Sequence, residues 1–222
     1  DHKSSRGLGD VYKRQMLKAV QTAEIEEYKP KENWYVLMAA CYSELESRIG
    51  KDESLYKQLD IYEILVNLYP KKMYFIQLGG IYSQLSREID YMVTLNAAYQ
   101  KDLLDKQTEY LTLASLLLQN NNPYWAAKVL EAGRKKRVPV IDEKTKEEKI
   151  LPVVKDNEKN LKLLADAWRM AQEMDLAIPI MEKAAKLAKD GQTYIILGSL
   201  YLSEDKLEAV SYTHLTLPTI DR

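Results

Sequence analysis

The side chains that most often carry chemistry are nearly missing from this chain. Its two histidines, His2 and His214, stand within a few residues of the ends, and Cys41 is the single thiol among 222 residues. A nucleophilic cysteine needs a base to ionise it, and the body between the ends offers no histidine for that role. Cys41 therefore reads as a small buried hydrophobe. One cysteine also excludes an internal disulfide and a thiolate metal cluster. Acidic pairs such as Glu26-Glu27 and Glu147-Glu148 are adjacent in sequence, so on a helix they point in different directions and read as solvated faces. The run Arg134-Lys135-Lys136-Arg137 is the one concentrated charge. It closes a helical pattern, where exposed carbonyls favour cations, and acid follows it in DEKTKEEK, so it does not read as a nucleic-acid patch. No glycine-rich phosphate loop and no Ser/His/Asp set is present in the sequence. Neither catalysis, a cofactor nor a metal is expected.

Composition excludes further classes. The chain is 46% apolar and 29% charged, with 32 Lys+Arg against 33 Asp+Glu, and it has no apolar run of about 18 residues that could cross a membrane. Neither membrane insertion nor nucleic-acid binding is expected. Tyrosine is the odd count, 16 against one phenylalanine, Phe75.

From Met16 to about Val210 one helical pattern follows another. The segments 1–15 (DHKSSRGLGDVYKRQ) and 211–222 (SYTHLTLPTIDR) lose that period, and both resemble translated adapter or vector sequence, so they are expected to be foreign, disordered ends. Setting them aside removes five basic and three acidic residues and leaves 27 against 30, a mildly acidic body. The natural N-terminus is then expected to be missing, together with any export signal.

Within the body a four-point signature recurs five times: a large residue, a second at +3, Ala or Gly at +4, a large residue at +7. The copies are Tyr35-Met38-Ala39-Tyr42, Phe75-Leu78-Gly79-Tyr82, Tyr110-Leu113-Ala114-Leu117, Leu161-Leu164-Ala165-Trp168 and Tyr194-Leu197-Gly198-Tyr201. This spacing puts all four on one helical face. Glycine costs about 1 kcal/mol in a helix interior, so Gly79 and Gly198 predict close approach of a neighbouring helix. Each signature helix is followed by a second apolar stripe, as in Tyr62-Leu65-Leu68 or Ala177-Met181-Ala184, which predicts helix pairs. Pro30 and Pro70 end helices before the next signature, and Pro179 is placed near the first turn of its helix. Successive signatures end 40, 35, 51 and 33 residues apart, so insertions are expected near 46–54 (ESRIGKDES) and 138–157 (VPVIDEKTKEEKILPVVKDN). The second, with β-branched runs and prolines around a charged centre, has the pattern of a small hairpin.

Aromatic, Leu, Gly/Ala and Tyr on a first helix, with Ala126, Ala177 and Ala184 on the second, resemble the tetratricopeptide repeat over 16–210. Leu117 and Trp168 at the Tyr place, and Tyr91 at an Ala place, depart from it. The implied fold is an all-α solenoid of about five antiparallel helix pairs. The runs NWYVLMAACYSEL, LVNLYPKKMYFIQLGGIYSQL, LASLLLQNNNPYWAAKVLEAGRKKRV and NLKLLADAWRMAQEMDLAIPIMEKAAKLAKDG further resemble tetratricopeptide proteins associated with the TonB energy-transduction system of Gram-negative bacteria. That resemblance implies an accessory role in envelope uptake and a periplasmic location, the alternative being cytoplasmic.

In such a repeat the first helices line a concave groove, and phase counting from the signature carries its positions onto Val36, Ala40 and Ser43; Ile76, Gly80 and Ser83; Leu111, Ser115 and Leu118; Lys162, Asp166 and Arg169; Ile195, Ser199 and Leu202. Small and apolar side chains dominate until charge appears in the fourth unit. The expected partner is a protein or an extended peptide segment bound by shape. The alternatives are a repeat segment whose groove is idle, or a general assembly factor or co-chaperone.

Overall fold

The computed structural model describes residues 14–15, 18–19, 30–141, 148–189 and 191–204, and between residues 32 and 203 these form ten helices and one hairpin. The foreign-end expectations fall almost wholly outside them. The signature drives the architecture. In its first four copies every member is buried, and in the fifth Leu197 and Gly198 are buried while Tyr194 and Tyr201 are half-covered. Full burial of each large side chain contributes about 1.5–3 kcal/mol, so the face, more than helix propensity, holds these short helices in place. The chain divides into two compact units, Asp1–Leu104 and Asp105–Arg222.

In the first unit, α1 (Glu32–Glu44), the short α2 (Glu46–Ile49) and α3 (Lys51–Leu68) precede α4 (Lys72–Gln84) and α5 (Glu88–Gln100). Helix α3 packs between α1 and α4. Its Ile61 and Leu65 join Tyr35, Met38, Ala39, Tyr42 and Tyr74, and its Leu55 and Leu59 join Leu78, Ile81 and Tyr82. Leu68, expected on that stripe, is exposed. The insertion near 46–54 is not a loop. It builds α2, turns at Gly50 with φ 91°, and enters α3, where buried Ser54 donates its hydroxyl to the Tyr42 carbonyl at 2.7 Å.

In the second unit, α6 (Gln107–Gln119) pairs with α7 (Pro123–Lys135), α8 (Glu158–Met170) with α9 (Met174–Leu187), and α10 (Gln192–Ser203) packs on α9. Between α7 and α8 the 138–157 insertion is the hairpin its pattern predicts. Strand β1 (Arg137–Ile141) runs antiparallel to β2 (Glu148–Pro152), with Val138 opposite Leu151 and Pro139 opposite Ile150. The chain then returns to α7. The Val153 and Val154 amides donate to the Lys136 and Gly133 carbonyls at 3.0 Å, and a Cβ on Gly133 would stand 2.5 Å from Val154 Cγ2. Pro179 sits in the second turn of α9, deeper than expected, because that helix already starts at Met174. Its ring supplies no N–H to the Asp175 carbonyl, and being exposed it leaves that edge open to water.

Three first helices end in one way. Ser86, Asn121 and Gln172 have φ of 57°, 57° and 62°, and the next amide donates back to the last signature residue: Arg87 to Tyr82, Asn122 to Leu117 and Glu173 to Trp168, at 2.8, 2.8 and 2.9 Å. This left-handed closure usually takes glycine. Here polar side chains occupy it, so sequence alone does not announce the turn.

A concave cleft between first helices

The first helices of each unit are joined at their N-terminal ends by polar contacts. Lys71 Nζ lies 2.7 Å from both Glu32 carboxylate oxygens, and the Tyr74 hydroxyl donates to the same group, tying α1 to α4. The Lys71 ammonium first, then Tyr74, hold the Glu32 carboxyl below its ordinary value. Between α6 and α8, Gln107 Oε1 accepts from the Lys155 amide at 3.0 Å and from Asn160 Nδ2 at 3.2 Å, while Asn160 Nδ2 also donates to the Lys155 carbonyl. Asn160 is buried, and its own amide is capped by Asn157 Oδ1 at 2.9 Å. Between α8 and α10, Thr193 donates to Glu158 at 2.7 Å.

Inside the second unit this spacing leaves an open cleft of about 610 Å³ between α6 and α8. Leu111, Leu116 and Leu163 give it an apolar surface; Thr112, Ser115, Gln119 and Asn160 add hydrogen-bonding groups; Lys159, Lys162 and Asp166 add charge. Four of the phase-counted positions, Leu111, Ser115, Lys162 and Asp166, thus meet at one site. Leu118 is half-buried and Arg169 exposed, and neither lines the cleft, but Arg169 Nε reaches Asp166 Oδ1 at 3.3 Å. In the first unit Val36, Ala40, Ser43 and Ser83 are exposed, Ile76 and Gly80 half-covered, and on α10 Ile195, Ser199 and Leu202 are exposed. A Cβ on Gly80 would meet nothing within 4 Å. None of the fifteen positions is packed inside a helix pair. Counting missed Lys159 and Gln119, which lie one helical turn from Lys162 and Ser115; a step of three or four residues along the same face finds them.

The other side chains weighed in sequence have structural partners. Arg134 is held by Asp156, beyond the hairpin, through two bonds, Nε at 2.6 Å and a terminal nitrogen at 2.7 Å, while the acids expected to answer this run in DEKTKEEK lie, Glu148 apart, outside the described residues. That pairing lowers the Asp156 carboxyl. Cys41 is buried. Tyr74 is buried, Tyr91 and Tyr99 are half-covered, and Tyr124 is exposed with its ring edge-on to Trp168 at 5.5 Å. Among the described residues no group of three His, Cys, Asp or Glu could hold a metal ion, and no helix is long and apolar enough to cross a membrane.

Comparison with solved structures gives the same architecture. YrrB, described as a TPR protein with an unusual peptide-binding site, aligns with TM-score 0.52 at 13% identity, covering 86% of this chain and 87% of that one. The fold is of the tetratricopeptide type. A crystal structure of MamA aligns over 79% of this chain and 87% of its own, with TM-score 0.50 and 14% identity. The C-terminal part of a TPR repeat-containing protein from Cytophaga hutchinsonii covers 93% of this chain and 72% of that one, at 17% identity and TM-score 0.46. No family model matches the chain, and no curated protein matches it. Within this tetratricopeptide fold the cleft lies between two consecutive first helices, α6 and α8.

Proposed function

We propose that the chain is a non-enzymatic interaction scaffold that holds an extended protein segment in the α6–α8 cleft. The carrying observation is the convergence of Leu111, Ser115, Lys162 and Asp166 on one open volume, with an apolar surface and polar groups able to meet a peptide backbone. Filling the cleft tests it. Ser115→Trp, bulky and uncharged on a half-covered position, is expected to lower affinity for a bound segment by about tenfold or more, a loss of at least about 1.4 kcal/mol, with the melting temperature unchanged. Unchanged binding would mean an idle groove and a purely structural array.

The sequence resemblance to TonB-associated tetratricopeptide proteins supports placing this scaffold in envelope uptake. The intact protein is then expected to fractionate with the periplasm and to crosslink to components of a TonB-dependent system. Recovery in the cytoplasm would overturn that placement and favour a general assembly factor.

A further inference from the structure

Two of the charges in the cleft are unanswered. Lys159 and Lys162 both line it, one turn apart on α8, and neither has a carboxylate within ion-pairing distance among the described residues. The nearby acids are engaged elsewhere: Glu158 accepts from Thr193, and Asp166 accepts from Arg169. Beside the lysines lie Leu111 and Leu163, and Asp166 stands a further turn along α8. From Lys159 to Asp166 the helix rises about 10 Å, the reach of about three extended residues. Along the cleft the surface therefore runs from two free cations, past leucines, to a paired carboxylate.

Resting on the peptide-holding reading above, we propose that the cleft selects segments in which side-chain carboxylates lie next to apolar residues, the carboxylates meeting Lys159 and Lys162 and the apolar side chains covering Leu111 and Leu163. Charge complementarity argues for this occupant, because an acidic group would relieve two like charges held on one face, whereas a basic segment would add to them. The leucines argue for a protein segment over a free anion, since a phosphate would leave that apolar surface wet. Thr112, Ser115 and Gln119 stand opposite on α6, where they can bond to the backbone of an extended chain.

The test is fluorescence polarisation of the full chain with a labelled nine-residue peptide, both termini blocked, carrying two aspartates followed by three leucines. Its Asp→Asn and Asp→Lys versions serve as comparisons. The acidic peptide is expected to bind about tenfold or more tighter than the amide version, and to weaken between 50 and 300 mM salt. The double variant Lys159→Gln/Lys162→Gln is expected to erase both differences without moving the melting temperature. Equal affinity for the acidic and amide peptides would overturn the inference, as would full displacement by inorganic phosphate alone. Ser115→Trp, which adds bulk without charge, separates the two readings. If it abolishes binding while the lysine variant changes nothing, the cleft stands and the charge selection falls; if it too changes nothing, both fall.

Discussion

At the scale of single residues, two oddities explain each other. Gly79 is a costly helix-interior residue, and Tyr91 is a large side chain where the repeat expects Ala. A Cβ on Gly79 would lie 2.8 Å from both Tyr91 Cδ2 and Tyr91 Cε2, so the glycine makes room for the tyrosine ring. Close approach was legible from Gly79, but its partner was not, because neither residue alone says which helix face it meets. Gly79→Ala is expected to destabilise by about 1–3 kcal/mol through overpacking, despite the better helix propensity of Ala. Urea denaturation checks it, and in a Tyr91→Leu background most of that cost should vanish. A net gain from Gly79→Ala alone would mean the ring moves aside freely.

At the scale of elements, tyrosines at the end of the signature fasten first helices to the second helix before them. Tyr82 of α4 donates to Glu63 of α3 at 2.6 Å, and Tyr201 of α10 donates to Glu182 of α9 at 2.5 Å, both across 19 residues. Nineteen residues before Leu117, which lacks a hydroxyl, stands Ala98 in place of an acid. The Leu117 departure is thus half of a paired change, and spacing between repeats was the signal that could have shown it. Burial first, then the bonded carboxylate, raises the Tyr201 phenol to about 12 and the Tyr82 phenol further. A raised folded value means the neutral phenol stabilises the fold below the ordinary pKa of about 10, and that stability is lost as pH climbs from there toward 12. The melting temperature is expected to be level from pH 7 to 9 and to fall steeply above about 10. Tyr82→Phe should make the alkaline fall shallower while lowering stability at pH 7, because it leaves Glu63 without its donor. A melting temperature flat to pH 12 would sink this account.

At the scale of the whole molecule, the repeat was legible because four residues per helix report one face, and that redundancy survives single departures. The hairpin was legible as a pattern of β-branched runs. Its anchoring through Gly133, Arg134 and Asp156 was not, since those contacts join residues more than 20 positions apart. The cleft was legible only as phase, because charge and volume depend on how two helices are set side by side. Its lining and its tethers through Gln107, Asn160 and Thr193 all fall within residues 105–222, one of the two compact units. That unit expressed alone is expected to keep helical circular dichroism, a cooperative melt and the peptide affinity of the full chain. Loss of cooperativity would show that neighbouring repeats are required, as repeat arrays often demand.

Gly80 gives this molecule an optical consequence. Nothing lies within 4 Å of where its Cβ would be, its face looks outward from α4, and the single native thiol, Cys41, is buried. A cysteine installed at Gly80 would therefore take a fluorophore selectively, on a site where the added Cβ meets no neighbour. Its emission would report whether a partner covers this face of the first unit, turning an empty spot on a helix into a gauge of binding there.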